Sequence, residues 1–168
     1  MKVILYMAIS VNGFIAKEDD DTSWISDEEW ASYSEIAKGA GNLIVGHRTY
    51  NILTKQTEFK EFEGIKIIII SHKNFKTLAP NHLVAKNPKV ALQLLAGFKE
   101  AIVAGGSILN SSFIKENLID EIYVDIEPIV LGNGIKLFED SNFEVKLELL
   151  ETKKISENEI QLHYKVLK

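Results

Sequence analysis

Three places in this chain set glycines, hydroxyls or cations directly after an apolar run, two of them at a helix start, which is the chemistry of anion binding. Gly105-Gly106-Ser107 follows "EAIVA" and opens "SILNSSF". A backbone without Cβ lets the main chain approach a phosphate while unpaired amides and the helix dipole face it. The alternative is a tight turn that needs unusual dihedrals. Gly46-His47-Arg48-Thr49 follows "NLIV". Two basic residues in a first helical turn oppose the dipole at roughly 0.3–1 kcal/mol each, so a negative group is expected beside them unless they form a solvated surface pair. Ser71-His72-Lys73 follows "KIIII" and offers hydroxyl, imidazole and ammonium together. Three such strand ends suit one ligand carrying several phosphates.

Other chemistries find no support. "LGNGIKLF" (131–138) holds a GxG but lacks the third glycine and precedes no clear helix, so it is not a dinucleotide fingerprint. His47, His72, His82 and His163 show no ligand spacing, and no metal is expected. Ser10 and Ser107 lack the G-x-S-x-G elbow of serine hydrolases. With no cysteine, thiolate nucleophiles and disulfides are excluded, and a reducing cytoplasm is permitted. A net charge of -5 disfavours a nucleic-acid partner. The first residues leave no room for a secretory leader and no run is long enough for a membrane span, so we expect a soluble protein.

The elements that must position these residues follow from patterning. The 168 residues are 46% hydrophobic, which suits one domain with a sizeable core, residues 1–168. "KVILYMAIS" (2–10) and "IKIIIIS" (65–71) are apolar almost throughout, as strands covered on both faces are. Ser26-Asp27-Glu28-Glu29 fits a capping box, predicting a helix from Asp27 to Lys38 with Glu29, Tyr33, Ile36 and Ala40 on one face. Asn87-Pro88 and Gly97 delimit another helix. "EAIVA" reads as a strand, "SILNSSFIKENL" as a helix and "IDEIYVDIE" as a long strand ending near Pro128. The last stretch alternates and turns at "SENE", a terminal β-hairpin. Strand and helix in alternation imply an α/β fold, a mostly parallel sheet with helices on both faces and an antiparallel C-terminal edge.

The segments "MAISVNGFIA", "LIVGHRTY", "IIIISHK" and "VAGGSILNSSFIKENLIDEIYVDIEPIVLGNGIKLF" together resemble the dihydrofolate reductase-like superfamily. Within it they are most similar to the pyrimidine-reductase domain at the C-terminus of bifunctional riboflavin-biosynthesis proteins. The resemblance implies a three-layer dihydrofolate reductase-like fold and an NADPH site. By this analogy Ala8, Ile15 and Ala16 hold the nicotinamide carboxamide, and Gly46, His47, Arg48 and Thr49 with Ser71, His72 and Lys73 take the 2′-phosphate and diphosphate. Gly105, Gly106 and Ser107 pass close to the diphosphate. The implied activity is hydride transfer to a small heterocyclic or sugar-derived substrate, of the 5-amino-6-(5-phosphoribosylamino)uracil reductase type. Folate reduction is the rival within the class, and a non-catalytic NADPH-binding module the rival outside it. Relatives of this branch pair as homodimers, and the cytoplasm is the implied location.

Two carboxylates are candidate proton donors. Glu29, among apolar residues of the first helix, would have a raised pKa from desolvation, though the capping box offers it a purely structural role. Asp125 on "EIYVDIE" points inward or outward depending on register. The H-x-E and P-C-x-x-C ligands of a deaminase half are absent from the sequence.

Overall fold

The computed structural model describes residues 1–168. Strand β1 (Lys2–Ser10) lies in the middle of an eight-stranded sheet. A short strand β2 (Phe14–Ala16) follows, then helix α1 (Asp27–Ala40), β3 (Asn42–Gly46), α2 (His47–Leu53), a 3-10 turn (Thr57–Phe62), β4 (Lys66–Ile70) and β5 (His82–Ala85). The chain continues through α3 (Pro88–Leu94), β6 (Glu100–Val103), α4 (Ser107–Lys115), β7 (Glu121–Glu127), the two-residue β8 (Ile135–Lys136), β9 (Lys146–Lys154) and β10 (Ile160–Leu167). The sheet order is β5-β4-β3-β6-β1-β7-β10-β9. All pairs are parallel except β7 with β10 and β10 with β9. This is the α/β architecture that the alternation of elements predicts, with the C-terminal hairpin as its antiparallel edge.

Side-chain alternation along each parallel strand supplies two cores. Val3, Leu5, Ile44, Ile68 and Val103 pack beneath Ala91 and Leu95 beside α3 and Phe113 of α4. Ile4, Tyr6, Val45, Ile67, Ile69 and Ile102 pack on the other face beneath Tyr33 and Ala37 of α1, Tyr50 and Leu53 of α2, and Phe62. The unbroken isoleucine run of β4 follows, because both faces of that strand are covered. At roughly 1.5–3 kcal/mol for each fully buried isoleucine, the three central ones outweigh any single cap or surface ion pair.

The α1 cap is half of what the capping box predicts. Ser26 Oγ accepts from the Glu29 N–H at 3.0 Å, but the Ser26 N–H donates to Glu127 Oε1 at 2.9 Å, so Glu29 is not the reciprocal partner. The helix runs to Ala40, past the expected Lys38, and ends where Gly41 takes φ 71° and its N–H turns back to Ala37 and Lys38. Its most buried residues are Glu29, Tyr33, Ser34 and Ala37, with Ile36 and Ala40 on the margin. Two small elements escape the patterning. β5 has four residues, only two of them buried. β2 pairs with β8, and Asn12 is bonded through both side-chain atoms to the backbone of Leu131. The second glycine of "LGNGIKLF" is thus a packing residue: a Cβ on Gly134 would collide with the carbonyl of Ala16.

Candidate active site

Helices α2 and α4 leave the neighbouring strands β3 and β6 toward opposite faces of the sheet, so a crevice opens at the carboxyl ends of these strands. It is a cleft of about 810 Å³. The Gly46 N–H donates to the Gly105 carbonyl at 2.9 Å, joining the two strand ends at its floor. Neither α2 nor α4 has a side chain capping its N-terminus, so the first-turn amides that follow Gly46 and Gly106 are free to serve a ligand. Gly105 takes φ 81° with Met7 beneath it, and a Cβ there would stand 3.1 Å from the Met7 thioether. The Gly105–Gly106 peptide is cis. A Cβ on Gly106 would sit 3.5 Å from Thr49 Oγ1, so the second glycine keeps the space between the two helix starts open.

The structure brings twelve of the thirteen residues predicted for a cofactor onto this wall: Ala8, Ile15, Ala16, Gly46 through Thr49, Ser71, His72 and Gly105 through Ser107. Lys73 is the exception and lies outside it. Its main chain instead exchanges hydrogen bonds with Ser71 Oγ, at 3.0 Å from the amide and 2.9 Å to the carbonyl. The cation at this end is Lys86, whose Nζ is 3.1 Å from the His72 carbonyl and 2.8 Å from Asn74 Oδ1. Sequence reading missed Lys86 and Asn87 because β5 is too short to announce itself. The signal was present as a polar pair before Pro88, the same strand-end, helix-start arrangement found at Gly46 and Gly106. His47 is held flat against Phe75, ring centroids 4.0 Å apart. The negative group expected beside Arg48 is Asp20, 2.7 Å from Nε. The acidic loop before α1, which reads as plain surface, folds over the cleft so that Asp20, Thr22, Ser23 and Ile25 join its wall.

The opposite end of the cleft is built by α1. Glu29 lines it at 5% exposure, beside Trp30, Tyr33 and Tyr6. The Tyr6 and Tyr33 rings are stacked 5.6 Å apart. Burial is the main reason the Glu29 carboxyl sits well above the usual carboxylate range, and the negative charges of Asp125, Glu127 and Glu159 add to it. Nothing in the protein hydrogen-bonds its side chain; the bond at this residue is through its amide. Asp125 does not reach the cleft wall. It points inward behind Tyr6, where its carboxylate accepts hydrogen bonds from the Tyr6 hydroxyl and from Gln161 Nε2 at 2.8 Å. Burial raises its pKa to about 6 against those two stabilising bonds. Of the two candidate acids, Glu29 can touch a ligand and Asp125 can act only through Tyr6.

Comparison with known proteins agrees with this architecture. The chain is 32% identical to YwjB of Bacillus subtilis over 97% of both chains. Its fold is similar to a Shewanella sp. PV-4 protein provisionally assigned to riboflavin biosynthesis, with TM-score 0.80, 21% identity and complete coverage of both chains. It is also similar to the Thermotoga maritima diaminohydroxyphosphoribosylaminopyrimidine deaminase/5-amino-6-(5-phosphoribosylamino)uracil reductase, with TM-score 0.73 and 16% identity, covering 99% of this chain and 56% of that one. The RibD C-terminal domain model matches residues 1–161, almost the whole of the sheet, the cleft and α1. The chain therefore belongs to the RibD C-terminal domain family.

Proposed function

We propose that this chain is an NADPH-dependent reductase that delivers hydride to a polarised C=N or C=O carbon of a small pyrimidine-like heterocycle. The observation that carries the reading is the shared cleft. Four strand ends with cations, hydroxyls and uncapped helix amides stand at one side of it, and a buried, unpartnered carboxyl stands at the other. The donor set fits a dinucleotide: Arg48, His47, His72 and Lys86 suit a 2′-phosphate, and the Gly106 turn with Thr49 and Ser107 suits a diphosphate. The cleft volume lies in the upper part of the roughly 300–1,000 Å³ range of ligand sites. Ala8, Ile15 and Ala16 border the region between the two ends, where backbone groups orient a nicotinamide ring. Bound NADPH supplies the hydride and leaves as NADP⁺.

Glu29 does the remaining proton chemistry. Held protonated by burial, its carboxyl passes a proton to the nitrogen or oxygen next to the carbon being reduced, and regains one from solvent through the cleft mouth. Tyr6, fixed by Asp125, and Tyr33 exclude water from the carboxyl and keep it neutral until it is used. Such a reaction belongs in the cytoplasm, where NADPH is maintained.

The reading includes a second copy of the chain. β9 is exposed along all nine residues, with Leu147, Leu149 and Leu150 between 41 and 54% exposed, and a free edge of that length with three exposed leucines is able to pair with another strand. In a two-fold antiparallel pairing of β9 with itself, the register that sets Glu148 opposite Lys153 matches charge on both sides of the axis.

Titration followed by Trp30 fluorescence tests the cofactor, and loss of NADPH absorbance with candidate pyrimidines tests the reaction. We expect NADPH to bind at least about tenfold more tightly than NADH, with Lys86→Ala removing much of the difference. We expect Glu29→Gln to bind NADPH normally and turn over about 10²–10⁴-fold more slowly. Equal affinity for the two dinucleotides, or full activity in Glu29→Gln, defeats the proposal.

A further inference from the structure

The two ends of the cleft differ in charge, and the difference selects among substrates. All four basic residues on the wall, His47, Arg48, His72 and Lys86, follow the carboxyl ends of β3, β4 and β5. The wall formed by α1 and the 3-10 turn carries none; its acidic members are Asp27, Glu29 and Glu58, of which Glu29 is held neutral by burial. Three further carboxyls stand behind it, Asp125, Glu127 and Glu159, at 2, 2 and 7% exposure. Apart from Lys153 on β9, whose charge lowers the Asp125 pKa, cations on the flanking elements do not offset them. Lys17 is engaged with Asp21 at 2.5 Å and Lys38 with Glu61 at 2.8 Å, while Lys55 and Lys60 are exposed and lie outside the wall.

We infer that the α1 end of this cleft takes an uncharged or cationic planar nitrogen heterocycle without a phosphate, and discriminates against the phosphate ester of the same compound. The inference rests on the reductase reading and narrows it. A phosphate monoester carries a charge of about −1.5 to −2 at neutral pH and needs cations or a fan of N–H donors to replace its hydration. At this end it would meet the Asp27 and Glu58 carboxylates with no cation beside them on the wall, and like charges brought together across a binding surface are strongly unfavourable. A planar ring meets an aromatic wall instead, lined by Tyr6, Trp30 and Tyr33: Trp30 stands edge-on to Tyr33 with centroids 5.6 Å apart, and Tyr33 is stacked on Tyr6. A ring or exocyclic N–H meets the free Glu29 carboxyl, an acceptor that no protein group uses. The substrate named for the Thermotoga maritima structure carries a phosphoribosyl group. This chain shares the fold of that enzyme but lacks, on its own α1 wall, the charge such a group requires.

Calorimetry on the full chain tests this in two stages. NADP⁺ is titrated first, and failure of that step counts against the reductase reading rather than against substrate charge. The NADP⁺-saturated protein is then titrated with 5-amino-6-ribosylaminouracil and, separately, with its 5′-phosphate. We expect the riboside to bind at least about tenfold more tightly than the phosphate. Equal or tighter binding of the phosphate overturns the inference. So does binding of neither compound to the NADP⁺-loaded protein, because the inferred site must accept the uncharged pyrimidine.

Discussion

Two buried acids facing the same side of the sheet have different uses because one has partners and the other has none. Asp125 is fixed by Tyr6 and Gln161, and its raised pKa is a stability statement more than a catalytic one. Charging it in place, at a pKa of about 6, is harder than charging it in the unfolded chain at 3.8. Its contribution to stability is therefore complete below about pH 4 and lost as pH rises through about 6, to the extent of about 3 kcal/mol. Asp125→Asn removes that loss at the cost of about 1 kcal/mol for the mismatched bond to Gln161. Urea unfolding of parent and variant at pH 5 and pH 7.5 checks it, the variant showing the smaller fall; an unchanged fall would mean another carboxyl is responsible. The acid on α1 is legible in sequence from its place in an apolar helix face. Which of its two uses it serves is not, because the decision lies with Glu127, 98 positions away, which takes the Ser26 amide that a capping box would give to Glu29.

At the scale of elements, the glycines show how one residue type answers to different local demands. Gly105 ends β6 at φ 81° against Met7, whereas Gly39 sits in the last turn of α1 with no atom within 4 Å of where a Cβ would stand. Gly105→Ala should lose about 1–2 kcal/mol, since a left-handed residue pays that for its Cβ. Gly39→Ala should gain about 0.5–1 kcal/mol from helix propensity. Thermal unfolding should then shift by a few degrees in opposite directions, and shifts of the same sign would refute the assignment of either turn. The long strands and the capped helices are readable in the sequence because each is a local pattern repeated over several residues. β5, β2 and β8 are not, since a strand of two to four residues has no period to read and exists only because a neighbour pairs with it. α4 likewise stops at Lys115 rather than continuing to Leu118, ended by Asn117 at φ 56°.

At the scale of the molecule, the hairpin of β9 and β10 extends the sheet beyond the last helix and leaves its outer strand bare. Leu149 lies opposite Tyr164 in that hairpin, at 54% exposure. Sedimentation equilibrium should find a dimer for the parent and a monomer for Leu149→Lys at the same concentration, with unfolding by heat little changed; a monomeric parent would remove the second copy from the proposal. Both the apolar strands and the polar, glycine-bearing strand ends are properties of short segments, so the sequence alone determined the layered α/β fold and three of the anion-friendly corners. It could not determine that Lys86 replaces Lys73, that the acidic loop closes on Arg48, or that the α1 end of the cleft has no cation. Those outcomes depend on which distant segments become neighbours, and electrostatic interaction falls off over distances that only the folded chain defines.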